Sequence, residues 1–285
     1  MEIFEEMEEK YIETNGIKLH TVIIGEGEPI LFMHGFPDFW YGWKNMILGL
    51  KDEFKLILPD TRGINLSDKP EDVEDYYPRT LIDDIKGLTE ALDLGKFTLI
   101  GHDWGGSLSY GFATLYPEKL KGLVTLNCPH PAVTSKKIQQ SSKKMRKTMK
   151  YQLDTLKADR LELMTSNNFA ALRALVFKGK DKFDQEKYIE AWSQPGAIKY
   201  GLMYYTAAYK YTRAGNSVED WVSHIQVPTL VLWGIKDPHL DPIILDGLDE
   251  YIKDLKIVRI ENAGHFVMDD APDTINSEIR KFIKT

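Results

Sequence analysis

Apolar residues fall into two rhythms along this chain. Short, nearly continuous apolar runs at 29–33 (PILFM), 55–58 (KLIL), 97–100 (FTLI) and 122–126 (GLVTL) read as buried strands. Between them lie helical spacings such as Leu81, Ile82, Ile85, Leu88 and Leu92. Upstream, residues 11–22 alternate apolar and polar around Asn15-Gly16, a strong short-range hairpin signal. After Pro129-His130-Pro131 the strand rhythm stops, and helical patterning runs to about Ser223. Strands return with TLVLWG at 229–234 and LKIVRI at 255–260. Alternating strands and helices predict right-handed crossovers and a mostly parallel sheet. The expected organisation is an α/β core of residues 1–130 and 224–285, interrupted by a helical cap at 131–223.

Composition narrows the class of function. The 285 residues are 43% hydrophobic and 28% charged, so a folded chain with a sizeable core is expected. A net charge of -7 argues against nucleic acid or an anionic membrane as the main partner and favours a small molecule. The acidic start, MEIFEE, lacks the features of a signal peptide, and no apolar run has the length of a membrane span. Cys128 is the single cysteine, which excludes an intrachain disulfide and a thiolate metal cluster; a cytoplasmic enzyme is the expectation. The basic run Lys136, Lys137, Lys143, Lys144, Arg146, Lys147 and Lys150 reads as a solvated helix face.

The chemistry begins at GHDWGG, residues 101–106, between a predicted strand and a predicted helix. The nucleophile elbow G-x-S-x-G places a serine on such a turn. Here Asp103 stands in the serine's place. A carboxylate attacking an ester would form a mixed anhydride, an uphill route. One attacking an electrophilic sp3 carbon forms an alkyl ester that water can later cleave. Asp103 therefore favours substrates with a strained C–O or a C–halogen bond, the alternative being a turn aspartate that caps the following helix.

Cleaving that ester requires a base for water, and His265, in ENAGHF after the last strand, is the candidate. Asp237, after the penultimate strand in WGIKD, is placed to orient it, with Asp241 a weaker substitute. The other six histidines lie in turns, hairpins or loops without metal-ligand spacing. HGFP at 34–37 follows another strand, and the amides of Phe36 and Trp104 are the candidate oxyanion hole.

With HGFPD, PDTRGINLSDKP, GHDWGG, LNCPHP, WGIKD and AGHF in this order, the sequence resembles an α/β-hydrolase of the epoxide hydrolase family over most of its length. The resemblance implies an α/β-hydrolase fold: a mostly parallel eight-stranded sheet flanked by helices, with the cap inserted before the last two strands. It also implies two cap tyrosines that donate to the oxirane oxygen. YQL makes Tyr151 similar to the first. LMYYTAA makes Tyr205 similar to the second, although Met203 and Thr206 depart from the usual Asn and Arg, and Tyr204 and Tyr209 stay open as alternatives.

Haloalkane and haloacetate dehalogenases share the triad order and are the alternative activity. Phe36 stands where many haloalkane dehalogenases carry a halide-binding Asn, and Tyr151-Gln152 lacks the His-Trp pair of haloacetate dehalogenases. A non-catalytic small-molecule receptor on the same fold is a further alternative. The expected reaction turns an epoxide and water into a vicinal diol, with no metal and no organic cofactor, in an apolar cleft bearing Phe36, Trp104 and Phe266 as substrate contacts. A homodimer is the generic expectation.

Overall fold

The computed structural model describes residues 6–139, 150 and 152–285. Eight strands form one sheet: β1 (Glu8–Thr14), β2 (Ile17–Ile24), β3 (Glu28–Met33), β4 (Phe54–Pro59), β5 (Phe97–His102), β6 (Leu120–Leu126), β7 (Thr229–Gly234) and β8 (Leu255–Ile260). Their order in space is β1-β2-β4-β3-β5-β6-β7-β8.

β1 and β2 form the hairpin expected at Asn15-Gly16. Both turn residues have positive φ, 46° and 77°, and Thr14 pairs with Ile17. Such a turn matches the twist of the strands it joins. β2 runs antiparallel to β4, and every later pairing is parallel. Parallel strands covered on both faces need apolar residues at successive positions. β5 and β7 accordingly are buried along their whole length, and two hydrophobic clusters pack on opposite sides of the sheet.

In the core, α1 (Lys44–Leu50), α2 (Pro78–Ala91) and α3 (Trp104–Leu115) lie between strands, and α9 (Val267–Asp270) and α10 (Pro272–Ile283) follow β8. Between β6 and β7 come α4 (Pro131–Gln139), α5 (Arg160–Val176), α6 (Lys182–Trp192), α7 (Ala197–Gly201) and α8 (Met203–Arg213), with no strand among the described residues there. α5 is broken by left-handed Asn167, Asn168 and Phe169. No helix among the described residues is long and apolar enough to cross a membrane. Of the basic run, Lys136 is exposed and pairs with Glu250 at 2.5 Å, whereas Lys143, Lys144, Arg146 and Lys147 lie outside the described residues.

The topology brings the chemistry-bearing segments to one edge. His34–Pro37 follows β3, Asp103 follows β5, Asn127 follows β6, Asp237 follows β7 and His265 lies beyond β8. All five strands are parallel neighbours, so their carboxyl ends open onto the same crevice, the usual ligand position in open α/β sheets.

Candidate active site

The elbow carrying Asp103 is held by steric necessity. Asp103 adopts φ 50° and ψ -123°, a strained backbone for a non-glycine residue. A Cβ on Gly101 would lie 2.6 Å from both Gly105 O and Gly106 Cα, and one on Gly105 would strike Met33 O. Strand and helix approach this closely only because both positions lack side chains. Asp103 is the N-cap residue of α3, yet its carboxylate makes no capping hydrogen bond, which removes the helix-cap alternative. Instead, Phe36 N–H donates to Asp103 Oδ1 at 3.2 Å.

Across the crevice, Asp103 Oδ2 lies 3.5 Å from His265 Nε2, and His265 Nδ1 lies 2.7 Å from Asp237 Oδ2. One imidazole therefore bridges two carboxylates. Burial opposes the charge on His265, but Asp237 and Asp103 outweigh it and raise the pKa to about 10. Burial likewise opposes ionisation of Asp237, and the charge and hydrogen bond of His265 reverse this, holding it at about 2. Asp103 is also held below the usual carboxylate value: burial works against ionisation, while His265, His102 and the Trp104 amide favour it.

Asp237 is further fixed by groups that sequence reasoning did not single out. Its Oδ1 accepts the His239 and Leu240 amides at 2.8 and 2.9 Å, and its Oδ2 accepts Asn127 Nδ2 at 2.8 Å. Asn127 is itself locked by Gly234 N–H, which donates to its Oδ1 at 2.7 Å. A polar residue directly after a buried strand was the available signal for Asn127. Asp241, the weaker substitute for Asp237, uses its carboxylate to accept the Ile243 amide at 3.0 Å.

His102 lies beside His265, with ring centroids 4.8 Å apart. Burial, and then the charge of His265, lower its pKa to about 4, so it stays neutral at pH 7. Its Nε2–H donates to His265 O at 2.9 Å, which anchors the loop after β8.

A single cavity is lined by Asp103, Trp104, Ser107, Pro129, Gln152, Tyr205, His239, Leu240 and His265. Of the three tyrosines left open on α8, Tyr205 reaches this cavity. Its ring stands edge-on to Trp104 at 5.1 Å and to Phe36 at 6.3 Å. Tyr204 turns to the core, where its hydroxyl donates to Arg62 O at 2.8 Å, and Tyr209 is 47% exposed. Tyr151 lies outside the described residues. The expected substrate contacts separate: Trp104 lines the cavity, Phe36 is buried with its amide at Asp103, and Phe266 lines a neighbouring cavity shared with His239 and His265. Of the other lining residues, Pro129 lies in LNCPHP and Gln152 in YQL, whereas Ser107, His239 and Leu240 carried no motif of their own. Among the described residues no cluster of His, Cys, Asp and Glu has the arrangement of a metal site.

This geometry has relatives. Residues 28–272 match a family model described as alpha/beta hydrolase fold. The chain is 33% identical to AB hydrolase superfamily protein YfhM of Bacillus subtilis, over 96% of this chain and 97% of the relative. It is 32% identical to Epoxide hydrolase 1 of Caenorhabditis elegans, over 99% of this chain and 71% of that protein. A solved epoxide hydrolase from Bacillus megaterium superposes with a TM-score of 0.90 at 31% identity, covering 97% of this chain and all of the other. Eight strands in this order, an aspartate at the elbow and these relatives together place the chain in the α/β-hydrolase superfamily, as a member of the epoxide hydrolase family.

Proposed function

We propose that this protein hydrolyses epoxides to vicinal diols through an ester on Asp103. The observation that carries the reading is that one cavity is bounded by Asp103, His265 and Tyr205 together. The helices of residues 131–223 act as a cap over it.

Each group has a task set by its surroundings. Asp103 Oδ1 accepts the Phe36 amide where the oxyanion would form, which assigns attack to Oδ2, the oxygen facing His265. It displaces the oxirane oxygen from carbon from the side opposite the breaking C–O bond. Tyr205 donates its phenolic proton to the emerging alkoxide, with Tyr151 as the second donor implied by the family resemblance. The product of this step is a hydroxyalkyl ester whose carbonyl oxygen is Oδ1.

His265 then takes a proton from water as the water oxygen attacks Asp103 Cγ. Charge gathers on Oδ1, at the Phe36 and Trp104 amides. One such donor is worth about 3–4 kcal/mol in acyl transfer. Collapse expels the diol oxygen, which takes the proton from His265, and the second proton of the water, left on the Asp103 carboxyl, returns to the Tyr205 phenolate. Alkylation also changes the base. Converting Asp103 to a neutral ester removes one of the charges that raise His265, so its pKa falls and the neutral imidazole becomes available.

Oxygen labelling tests the route. In a single turnover of styrene oxide in 18O-labelled water, the label is expected in Asp103 and not in the first diol released. Label in that diol would mean direct attack by water and would end the covalent reading. Turnover of haloalkanes or haloacids in place of epoxides would move the assignment to a dehalogenase with the same nucleophile.

Tyr205→Phe isolates the acid. Formation of the Asp103 ester is expected to slow by about 10²-fold or more, while its hydrolysis changes little. Rapid-quench mass spectrometry separates the two steps, and an unaltered rate of ester formation would remove Tyr205 as the donor.

A further inference from the structure

The Phe36 amide sits in the loop that follows β3, residues 34–37. Its direction is set by the backbone at Gly35 and Phe36, and Gly35 has no Cβ to restrict it. A side chain there is excluded, because a Cβ on Gly35 would strike the Asp103 carboxylate. Contacts within the loop and from outside it set that direction.

One grip comes from the core. His34 Nδ1 lies 2.8 Å from Gly35 O, the carbonyl of the same peptide unit as the Phe36 N–H, and His34 Nε2 accepts Thr61 N–H at 3.0 Å. The accepting role of Nε2 makes Nδ1 the donor to Gly35 O.

The other grip comes from α6, between β6 and β7. Tyr188 Oη donates to Asp38 Oδ1 at 2.5 Å, and Trp192 Nε1 donates to Pro37 O at 2.7 Å. Pro37 and Asp38 are the two residues directly after Phe36. Asp38, Tyr188 and Trp192 are 2%, 1% and 5% exposed, so little water reaches these bonds. Packing alone does not call for the hydroxyl or the indole N–H, since Phe39 meets the Tyr188 ring at 5.2 Å and Phe177 stacks on Trp192 at 5.5 Å. A carboxylate buried beneath the loop costs stability unless it is hydrogen-bonded. Burial pushes Asp38 up to about 6, with Lys180 and the Tyr188 hydroxyl opposing. α6 and the turn preceding it are pinned at two further points: Asp184 accepts Lys44 Nζ at 2.6 Å and Tyr41 Oη at 2.8 Å, and Lys180 Nζ donates to Asp269 Oδ2 at 2.6 Å.

We infer that Tyr188 and Trp192 are positioning residues: by holding Asp38 and Pro37 they aim the Phe36 amide at Asp103, so that docking of α6 completes the oxyanion hole. The inference rests on the reading of Asp103 as the esterified nucleophile. An amide misaimed by a fraction of an ångström weakens stabilisation of the tetrahedral intermediate more than it weakens attack on the epoxide.

Rapid-quench mass spectrometry with one enantiomer of styrene oxide tests it on the full chain. In Tyr188→Phe and in Trp192→Phe, decay of the Asp103 ester is expected to slow by about 10-fold or more while its formation stays within about 3-fold of wild type. Asp38→Asn retains an oxygen that accepts the Tyr188 proton, and its ester decay is expected within about 3-fold of wild type. Both substitutions on α6 preserve an aromatic ring, and if one fails to fold the other carries the test. Ester decay at the wild-type rate in the folded variants, or formation and decay falling in proportion, would overturn the positioning role. His265→Gln is run beside them: if it forms no ester, the nucleophile assignment and this inference fall together, whereas an ester there with unchanged decay in the α6 variants overturns the inference alone.

Discussion

Exposed to a small terminal epoxide, His265→Gln is expected to gain the full mass of the substrate on Asp103 and keep it. Attack by Asp103 Oδ2 does not use the imidazole, so the ester forms at a rate within about 10-fold of wild type. Its hydrolysis has lost the base and slows by about 10²- to 10⁴-fold, or roughly 3–5 kcal/mol. Intact-protein and peptide mass spectrometry reads both the adduct and its position. Equal loss of formation and decay would show that His265 supports the nucleophile without activating water.

The same chemistry fixes the sign of the pH dependence in the wild-type protein. His265 is raised to about 10 in the free enzyme, after burial is outweighed by Asp237 and Asp103. With His265 as the proposed base, ester hydrolysis needs neutral imidazole, so its rate is expected to rise with pH. It levels off above an apparent pKa lower than that of the free enzyme, because esterified Asp103 no longer contributes its charge. Ester formation needs the Asp103 carboxylate, which is already held below its ordinary value, and so persists well into acid.

Asp103→Ala carries the other large effect. Removing the nucleophile is expected to cut diol formation by at least about 10⁴-fold, with no covalent adduct from any epoxide. The substitution keeps Gly101 and Gly105, so the tight strand-to-helix turn remains sterically possible, while loss of the Asp103–His265 pair that holds the Asp103 pKa down costs some stability. Steady-state diol production and the thermal midpoint are measured together. A folded variant retaining more than a few per cent of wild-type turnover would show that water attacks the epoxide without Asp103.

Much of the architecture was legible because its causes are local. The run FTLI at 97–100 needs apolar residues on both faces, and β5 is buried on both. Asn15-Gly16 tolerates the positive φ values that close the hairpin. TLVLWG and LKIVRI span the same residues as β7 and β8. Asp103, Asp237 and His265 could be picked out because each stands just beyond a strand in a parallel sheet, and such positions share an edge whatever the details of packing.

The tyrosines show where that reasoning ends. Tyr204 and Tyr205 differ by one position on α8, yet the first bonds to Arg62 O and the second lines the cavity with Asp103. Adjacent helical residues point about 100° apart, and their sequence is equally compatible with either facing the nucleophile. Which one does is decided by how α8 lies against the core. Asn127 and the His239 amide meet Asp237 through contacts that similarly depend on three-dimensional placement.

The sequence by itself determined the strand pattern, the glycine frame of the elbow, the aspartate within it and the order in which the candidate residues Asp103, Asp237 and His265 follow the strands. These follow from short-range sterics, apolar periodicity and the chemistry of a carboxylate. Only the tertiary structure decided that Oδ1 of Asp103 meets the Phe36 amide, that Tyr205 faces the cavity, and that Tyr188 and Trp192 reach Pro37 and Asp38 across about 150 residues of chain. Those contacts require separate elements to pack at fixed distances and angles, and local propensities do not encode where two distant surfaces meet.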